Sequence, residues 1–347
     1  MTSSQNIRVG IVGAGANSRA RHIPGFQALE GVDVVGVANR SRESGQRVAD
    51  EFEIPRVYDD WQQLVQSPDI DAVCIGTWPY MHCPITLAAL DAGKHVLTEA
   101  RMAMDAAEAK AMLNASRRHP DLVAQVVPSP FTLKVDTTIR ELLSSGYLGA
   151  LTSVEMRVTG SGFPEFGGPL QWRHDRAVSG YNVLFLGVWY EAMMRWIGPA
   201  TEVLAMTSVT VPQRVDTGGL LRPVTIPDHV DVLARINGGA QAHMTFSAVT
   251  GLAPSADVWL FGTGGTLHLE TGAMQLFGGR RGDDGLAEIE VPVEKQQSWR
   301  VEEEFVNAIR GLEPVRLTTF EDGVAYMEFT EAVTRSARTG RAVHLPL

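Results

Sequence analysis

The sequence predicts an α/β protein in two parts: a doubly wound parallel sheet, and then an α/β domain whose sheet is largely antiparallel and open. Three observations predict this fold class. Short apolar runs alternate with helix-like segments in the first part of the chain, a glycine-rich turn follows the first run, and strand-like alternation dominates after Pro128. Alternating strands and helices are typical of a parallel sheet covered on both faces, whereas period-two alternation is typical of an antiparallel sheet with one covered face.

The first part contains apolar runs separated by segments of helical length. Because parallel strands need a long crossover, usually a helix, this order predicts a Rossmann-type domain over residues 1–127, and residues 128–347 then form the second domain. The predicted strands are 7–12, 32–38, 72–75, 95–97 and 122–127, and the predicted helices are 17–30, 42–52, 84–92 and 105–118.

The second part begins with a helix-like stretch at 133–145 and continues with a series of strand-like runs. Their order predicts helices on one face of a sheet whose other face stays open. The predicted strands are 151–159, 202–211, 230–236, 241–248, 257–261, 266–270 and 274–277, and the further predicted helices are 181–196, 298–310 and 321–338.

The turn after the first strand has the residues of a dinucleotide-binding fingerprint, Gly-Ala-Gly-Ala-Asn-Ser at 13–18. The first glycine permits a tight turn, and the second lets a pyrophosphate approach the backbone at a helix N-terminus. Serine takes the place of the usual third glycine and is small enough for close packing of helix against strand. The residues predicted to bind a nicotinamide dinucleotide are Gly13, Gly15, Ala16, Asn17 and Ser18.

The residues that follow the second strand bear on which dinucleotide binds. A site selective for NAD usually has Asp or Glu here, which accepts a hydrogen bond from the ribose 2′-hydroxyl. Asn39 has no charge to repel a 2′-phosphate, and Arg40 and Ser41 can bind one. A solvent-exposed loop position for Arg40 is the alternative. The sequence favours NADP(H) over NAD(H), with Asn39, Arg40 and Ser41 contacting the cofactor.

Composition and charge bear on partners and location. The formal net charge of −10 speaks against nucleic acid as a partner, because phosphate binding calls for a basic surface. The two cysteines, Cys74 and Cys83, form no disulfide framework, and no cluster of His, Cys, Asp and Glu has metal-ligand spacing. We expect a cytoplasmic protein without a signal segment, a membrane span or a bound metal, acting on a small molecule.

Several stretches occur in an order that resembles one family. They are Gly-Ile-Val-Gly-Ala-Gly at 10–15, Ala-Leu-Asp-Ala-Gly-Lys-His-Val at 89–96, Trp-Arg-His-Asp at 172–175, Phe-Gly-Thr-Gly-Gly-Thr at 261–266 and Arg-Ser-Ala-Arg-Thr-Gly at 335–340. Over nearly its whole length the chain resembles the Gfo/Idh/MocA family, the relatives of glucose-fructose oxidoreductase and inositol dehydrogenase. The resemblance implies a nicotinamide-dependent oxidoreductase that assembles as a homodimer or homotetramer through its open sheet.

The catalytic triplet of that family is altered in this chain. The family has Glu-Lys-Pro after the fifth strand, and its lysine moves a proton while hydride passes to or from the nicotinamide; here the triplet is Glu99-Ala100-Arg101. Alanine cannot titrate, and arginine is a poor general acid because its pKa lies above about 12. Arg101 can still hold a substrate oxyanion, or it can be a helix-entry arginine that points to solvent. The resemblance implies that Glu99 contacts the cofactor.

A helix of the second domain departs from the family as well. Similar proteins have Asp, His and Asp at i, i+4 and i+7, where this chain has Phe185, Trp189 and Ala192. These apolar residues predict a rebuilt substrate pocket walled by Phe185 and Trp189. Tyr181 is predicted one turn earlier on the same helix face, where it either handles a proton or packs. Glu191 and Arg195 have the spacing of an ordinary surface ion pair.

The remaining candidates come from two loops. Trp172 and Arg173 match a family pair beside cofactor or substrate, and His174 is a titratable group suited to acid–base chemistry, with a solvent-exposed loop histidine as the alternative. After the fourth strand, the family's Thr-Pro-Asn is replaced by Thr77-Trp78-Pro79. The resemblance implies that Thr77, Trp78 and His82 contact the cofactor, although His82 can instead cap the following helix.

Three functions are compatible with these observations. The first is an oxidoreductase for a sugar, cyclitol or glycoside-like polyol, in which Arg101, Tyr181 or His174 replaces the lost lysine and histidine. The aromatic substitutions favour a substrate with an apolar group. The second is a lyase or glycosidase that retains its nucleotide and oxidises its substrate transiently. The third is a nucleotide-binding sensor that has lost catalysis.

Overall fold

The computed structural model describes residues 6–253 and 256–347, and the chain divides into two compact units. The first contains Met1–Pro128 together with Arg300–Val324, and the second contains Ser129–Trp299 together with Ala325–Leu347. The α/β fold class is confirmed, with a parallel sheet in the first unit and a mixed, largely antiparallel sheet in the second.

The first unit is built on a six-stranded parallel sheet in the order β3-β2-β1-β4-β5-β6. The central strands β1, β4 and β5 are buried in register, and residues such as Ile11, Cys74 and Leu97 have no exposed surface, as expected for a sheet covered on both faces. The strands are Ile7–Val12 (β1), Val32–Ala38 (β2), Arg56–Val57 (β3), Ala72–Ile75 (β4), His95–Thr98 (β5) and Ala124–Val126 (β6).

Helices connect these strands. The predicted first helix, 17–30, is a π-helical turn over Ser18–His22 followed by a short α-helix, Ile23–Gln27 (α1). Ser41, Asp60 and Asp105 each accept a backbone N–H at a helix start, which fixes where α2, α3 and α5 begin. The other helices are Arg42–Phe52 (α2), Trp61–Gln66 (α3), His82–Asp91 (α4) and Ala106–Arg118 (α5).

Residues 300–324, which the sequence analysis placed in the second domain, pack instead with the first unit. They include the helix Val301–Ile309 (α9), whose Phe305 packs edge-on against Phe26 at 6.3 Å between ring centres. The Val126 N–H also donates to the Thr318 carbonyl at 3.1 Å. A boundary taken from the alternation of elements alone places every residue after Pro128 in one domain, because these contacts join positions far apart in sequence.

The second unit contains a nine-stranded sheet in the order β16-β15-β14-β13-β7-β12-β11-β8-β17, in which only β7 and β12 pair in parallel among the described strands. A two-stranded hairpin, β9-β10, stands apart from it. The strands are Leu151–Thr159 (β7), Ala200–Ser208 (β8), Gln213–Val215 (β9), Leu221–Pro223 (β10), His229–Ile236 (β11), Gln241–Ser247 (β12), Ala256–Gly262 (β13), Gly265–Glu270 (β14), Gln275–Arg280 (β15), Ala287–Ile289 (β16) and Val343–His344 (β17).

Helices cover one face of this sheet. Tyr190 stacks on Phe329 at 3.6 Å between ring centres, and its hydroxyl accepts the Ala200 N–H at 2.7 Å. The Ser336 hydroxyl likewise accepts the Ala205 N–H at 2.9 Å. The helices are Leu133–Ser144 (α6), Arg176–Ser179 (α7), Leu186–Ile197 (α8) and Phe320–Thr339 (α10), the last of which starts within the first unit.

The predicted helix 181–196 starts later than expected, and this corrects the position of Tyr181. Gly180 at φ +65° and Leu184 at φ +46° interrupt the chain, so α8 begins at Leu186 and Tyr181 lies before it. Tyr181 therefore shares no helix face with Trp189, and its ring lies 5.2 Å beneath the Arg176 guanidinium. In the described parts of the chain, no helix is long and apolar enough to cross a membrane.

Candidate active site

The glycine turn lies against the loop that follows β4. Gly13 has φ +81°, a conformation that favours glycine, and a Cβ on it would lie 2.8 Å from the Thr77 backbone nitrogen. A Cβ on Gly76 would lie 2.1 Å from Ser18 Oγ. Ser18 therefore packs directly against Gly76, and the two loops together form a cradle at the carboxyl end of β1 and β4, without room for further side-chain atoms.

The end of β2 contributes polar groups to this cradle. Asn39 braces the turn, because its Oδ1 accepts the Ala14 N–H at 2.7 Å and its Nδ2 donates to the Ser44 carbonyl at 3.1 Å. The Arg40 guanidinium lies 5.8 Å from the centre of the Trp78 ring. Ser41 caps α2 by accepting the Ser44 N–H at 3.3 Å. Residues 39–41 thus present an amide, a guanidinium and a hydroxyl, and no carboxylate.

A cavity of about 580 Å³ runs along these loops, entirely within the first unit. Its polar lining includes two carboxylates as well, and of these Asp59 forms an ion pair with Arg42. A glycine-lined floor at the carboxyl ends of parallel strands fits the pyrophosphate and ribose of a dinucleotide. The residues that line it include Gly13, Ala14, Gly15, Asn39, Arg40, Asp59, Asp60, Thr77, Trp78 and Tyr80.

Glu99, at the end of β5, belongs to a buried charged cluster. One of its oxygens accepts hydrogen bonds from the Asn17 amide and from His22 Nε2, the latter at 3.0 Å, and the other accepts the Ala100 N–H at 3.1 Å. His22 has no exposed surface, and its Nδ1 lies 2.5 Å from Glu302 on α9. The cluster is therefore an imidazole held between two carboxylates.

The pKa values follow from this arrangement. Burial alone would lower the pKa of His22, but its hydrogen bonds to Glu302 and Glu99 outweigh burial and raise the pKa to about 9. Burial would raise the pKa of Glu99, yet His22 and Asn17 hold it below its ordinary value. His22 is consequently an imidazolium at neutral pH, and Glu99 is a carboxylate.

Arg101, two residues after Glu99, contacts His82. The Ala100–Arg101 peptide is cis, and Arg101 is 6% exposed, so it is buried rather than pointing to solvent. The ring nitrogens of His82 lie 2.9 Å from the Arg101 carbonyl oxygen and 3.0 Å from the Thr77 carbonyl oxygen. Burial lowers the pKa of His82. His82 thus joins the loops that follow β4 and β5.

In the second unit, Phe131, Phe185 and Trp189 form an aromatic layer. Phe185 is half exposed just before α8, Trp189 is buried on α8, and both pack against Phe131 at 5.9 and 5.1 Å between ring centres. Phe185 therefore presents an apolar surface to solvent, and Trp189 packs against the same Phe131 ring that Phe185 contacts.

Glu191 and Arg195 form an ion pair on α8 at 3.4 Å, as their spacing predicts, but the pair is buried and not on the surface. Glu191 is 3% exposed, and one of its oxygens accepts the Ser129 N–H at 2.8 Å. Arg195 lies 2.9 Å from Asp136, which also accepts the Trp196 indole N–H at 2.7 Å. The helical spacing of Glu191 and Arg195 is as predicted, but their helix is covered by α6 and the chain at Ser129.

Arg173, His174 and Phe185 line a second cavity of about 320 Å³, which lies within the second unit. His174 Nδ1 accepts the Gln171 N–H at 3.1 Å, so the neutral ring carries its proton on Nε2. Burial and the neighbouring Arg214 and Arg173 lower the pKa of His174. In this tautomer, His174 is a hydrogen-bond donor rather than a proton acceptor. The Arg173 guanidinium stacks over Trp172 at 4.2 Å.

Sequence reasoning missed His22 and Glu302. His22 lies inside the predicted helix 17–30 and Glu302 inside the predicted helix 298–310, and nothing in either pattern links positions 280 residues apart. The described residues contain no group of three or more His, Cys, Asp or Glu that could hold a metal ion.

Two family models match the chain. The model described as "Oxidoreductase family, NAD-binding Rossmann fold" matches residues 7–126, and the model described as "GFO/IDH/MocA C-terminal domain" matches residues 137–268. The first match covers the cradle and the cavity beside it. The second covers most of the open sheet and α8.

The individual relatives have low sequence identity to this chain, and the matches span most of its length. A trans-1,2-dihydrobenzene-1,2-diol dehydrogenase from Mus musculus is 28% identical over 76% of this chain and 74% of its own. A levoglucosan dehydrogenase from Pseudarthrobacter phenanthrenivorans is 26% identical over 68% and 66%, respectively. The structure of a levoglucosan dehydrogenase in complex with NADH and levoglucosan superimposes with a TM-score of 0.86 over 99% of this chain and all of that one, at 22% identity.

Proposed function

The chain belongs to the Gfo/Idh/MocA family of NAD-binding oxidoreductases, and from this premise we propose that it moves hydride between a nicotinamide dinucleotide and a carbinol carbon of a sugar, cyclitol or glycoside-like polyol. The observation that carries the proposal is the cradle formed by Gly13, Gly15 and Thr77, which opens into the cavity of about 580 Å³. The bound nucleotide supplies the hydride acceptor or donor, and the residues of the chain supply its position.

We propose further that NADP(H) is preferred over NAD(H). Residues 39–41 offer no carboxylate to a ribose 2′-hydroxyl, and the Arg40 guanidinium lines the cavity, where it can pair with a 2′-phosphate. Asp59 lies on the same cavity, and its ion pair with Arg42 offsets its charge.

The loops after β4 and β5 add further residues to the proposed cofactor-binding site. Thr77 and Trp78 line the cavity itself. His82 acts through the Thr77 and Arg101 carbonyls that it joins, and Glu99 is the anionic group at the end of β5.

The chemistry needs a replacement for the family lysine, because Ala100 cannot titrate. We propose that Arg101 in the first unit stabilises negative charge on a substrate oxygen. In the second unit, His174 acts as a neutral donor through Nε2–H, and Tyr181 is the proposed proton donor. A hydrogen-bond donor that stays neutral can polarise a carbonyl without itself titrating.

The substrate class is inferred from the relatives and from the aromatic layer. The names of two relatives refer to a cyclic diol and to levoglucosan. Phe185 offers an apolar wall that Trp189 supports through Phe131, and Trp172 offers a second aromatic face. We therefore propose a polyol with an apolar substituent, such as an aryl glycoside.

One assay tests the reaction. The purified protein is incubated with NADP⁺ or NAD⁺ and with matched pairs of aryl glycosides and free monosaccharides, while absorbance of the reduced nucleotide and product are followed together. Reduced nucleotide that forms in step with product, faster with the aryl glycoside, is the expected result. Preference for free monosaccharides contradicts the substrate class. Product without net reduction indicates the lyase or glycosidase, and tight nucleotide binding without turnover indicates the sensor.

We also propose a homodimer or homotetramer located in the cytoplasm. The support for assembly is the open face of the second sheet, where Leu204, Met206 and Leu233 are exposed. The support for the location is the dependence on a nicotinamide pool together with two cysteines, Cys74 and Cys83, that are free thiols.

A further inference from the structure

The 320 Å³ cavity of the second unit has two chemically different sides. Phe163 and Phe185 form an apolar side, and their side chains are 69% and 50% exposed. Arg173, His174 and Arg214 form a side of hydrogen-bond donors. We propose that this cavity binds a small carboxylate with an apolar or aromatic body. That the polyol substrate of the oxidoreductase carries this carboxylate rests on the proposed function, whereas the binding of a carboxylate does not.

His174 is a fixed donor at this site. Because Nδ1 accepts the Gln171 N–H, the proton of the neutral ring is on Nε2. Arg173 and Arg214 are close enough to act electrostatically on His174, and both disfavour its charged form. An anion placed among these three groups receives an N–H hydrogen bond and the field of two guanidinium groups, which is the chemistry that recognises a carboxylate.

Two carboxylates, Asp228 and Glu165, also line the cavity, and Asp228 favours the charged form of His174. Asp228 is occupied, because its oxygens accept the backbone N–H groups of Thr210 and Val211 at 2.8 to 3.0 Å. Glu165 is exposed and lies with Arg214 next to Gly168. In the described part of the chain, no carboxylate lies within 4.0 Å of the Arg173 guanidinium, which rests on Trp172 instead. Arg173 is therefore the cation with which we expect the carboxylate of a ligand to pair.

The apolar side argues against a simple inorganic anion. Phe163 packs over Gly251, where an added Cβ would lie 2.5 Å from its ring, and Phe185 packs on Phe131. Both rings are held by packing and yet remain open to solvent, so a ligand body that covers them gains free energy from burial of apolar surface.

The experiment uses the full chain without nucleotide and titrates benzoate, benzamide and inorganic phosphate, with calorimetry and NMR of the His174 ring as readouts. Benzoate is expected to bind at least about tenfold more tightly than either other probe, because only benzoate has both the charge and the ring. Bound benzoate is also expected to raise the pKa of His174. Equal binding of benzamide, or of phosphate, overturns the ligand class.

Two variants locate the binding. Arg173→Gln should weaken benzoate binding at least about tenfold, since one charge-assisted contact is lost. Arg222→Gln removes an arginine of the neighbouring hairpin that pairs with Asp216 and does not line the cavity, so it should leave binding unchanged. Unaltered binding by Arg173→Gln overturns the proposal. Dinucleotide binding is measured separately on the same variants, so a failure here is distinct from a failure of the proposed reaction.

Discussion

The charge on His22 depends on two carboxylates that come from distant parts of the sequence. Glu99 follows β5 and Glu302 lies on α9, and each hydrogen-bonds to one nitrogen of a ring with no exposed surface. Because a buried cation is stable only when it is paired, the cluster links the ionisation of Glu99 to the packing of α9. His22 thus favours the ionised form of Glu99 through its hydrogen bond.

The raised pKa of His22 predicts a dependence of stability on pH. The folded-state pKa of about 9 exceeds the unfolded value of about 6.5, so the stabilisation is fully present below about pH 6.5 and is lost as pH rises through 9. Its size is on the order of 3 kcal/mol. Glu302→Gln should lower the His22 pKa and flatten the fall in the free energy of unfolding between pH 6.5 and 9.5, measured by urea denaturation.

A neighbouring glutamate provides the control for this prediction. Glu303 is on the same helix but half exposed, and it pairs with Arg300. Glu303→Gln should therefore keep the pH dependence of the wild type, while NMR of the His22 ring follows its pKa in all three proteins. A His22 pKa that stays near 9 in Glu302→Gln would refute the role given to Glu302.

Arg40 allows a second prediction at the level of one residue. If its guanidinium binds the 2′-phosphate, Arg40→Ala should weaken NADPH binding about tenfold or more and change NADH binding little. Arg47→Ala, which removes an exposed arginine of α2 paired with Glu43, should change neither. Equal losses for both nucleotides, measured by fluorescence titration, would mean that Arg40 does not distinguish them.

At the level of elements, the turn between β1 and the first helical segment has no room for an added side chain at Gly13. Gly13→Ala places a methyl group at φ +81° and 2.8 Å from the Thr77 nitrogen, so either the turn or the loop after β4 must move. We expect nucleotide binding at least about tenfold weaker with the fold retained. Gly285→Ala is the control, because an added Cβ there meets nothing within 4 Å. Unchanged nucleotide affinity in Gly13→Ala would show that the turn is not the binding cradle.

Sequence patterns were sufficient for the elements whose signals are local. The runs at 7–12, 32–38 and 72–75 are strands with the predicted bounds, because each is a continuous apolar run in a sheet covered on both faces. The predicted start of α8 is wrong, because Leu184 adopts φ +46° and is not a glycine or proline that would indicate an interruption of the helix. The short strand Arg56–Val57 has too little pattern to be recognised.

The candidate site likewise has features that local sequence signals predict and features that they do not. The glycine turn and the triplet Glu99-Ala100-Arg101 are visible in sequence, since both are properties of a few consecutive residues. The imidazolium at His22 requires α9 to return to the first unit, and the tautomer of His174 depends on a backbone N–H of its own turn. Neither a long-range contact nor the direction of a ring nitrogen leaves a periodic signal.

At the level of the whole molecule, the second sheet leaves one face open. Along β8 and β11, Val203, Ala205 and Val232 point to the covered face, and they alternate with residues that point away from it. Further along the sheet, the open face bears stacked rings: Trp259 lies 3.8 Å from His268 and 5.8 Å from Phe261 between ring centres. The exposed apolar side chains on β8 and β11 are Leu204, Met206 and Leu233.

An exposed apolar sheet face of this kind is typical of a protein–protein interface. If the face forms the proposed homo-oligomer, a charge among its exposed apolar side chains on β8 and β11 must be buried without a partner, which is costly. Met206→Glu should therefore shift the chain from an oligomer to a monomer in light scattering at micromolar concentration. Leu312→Glu places the same charge at an equally exposed apolar residue of the first unit and should leave the oligomer intact. A wild-type protein that is monomeric, or a Met206→Glu variant that still assembles, would exclude this face as the interface.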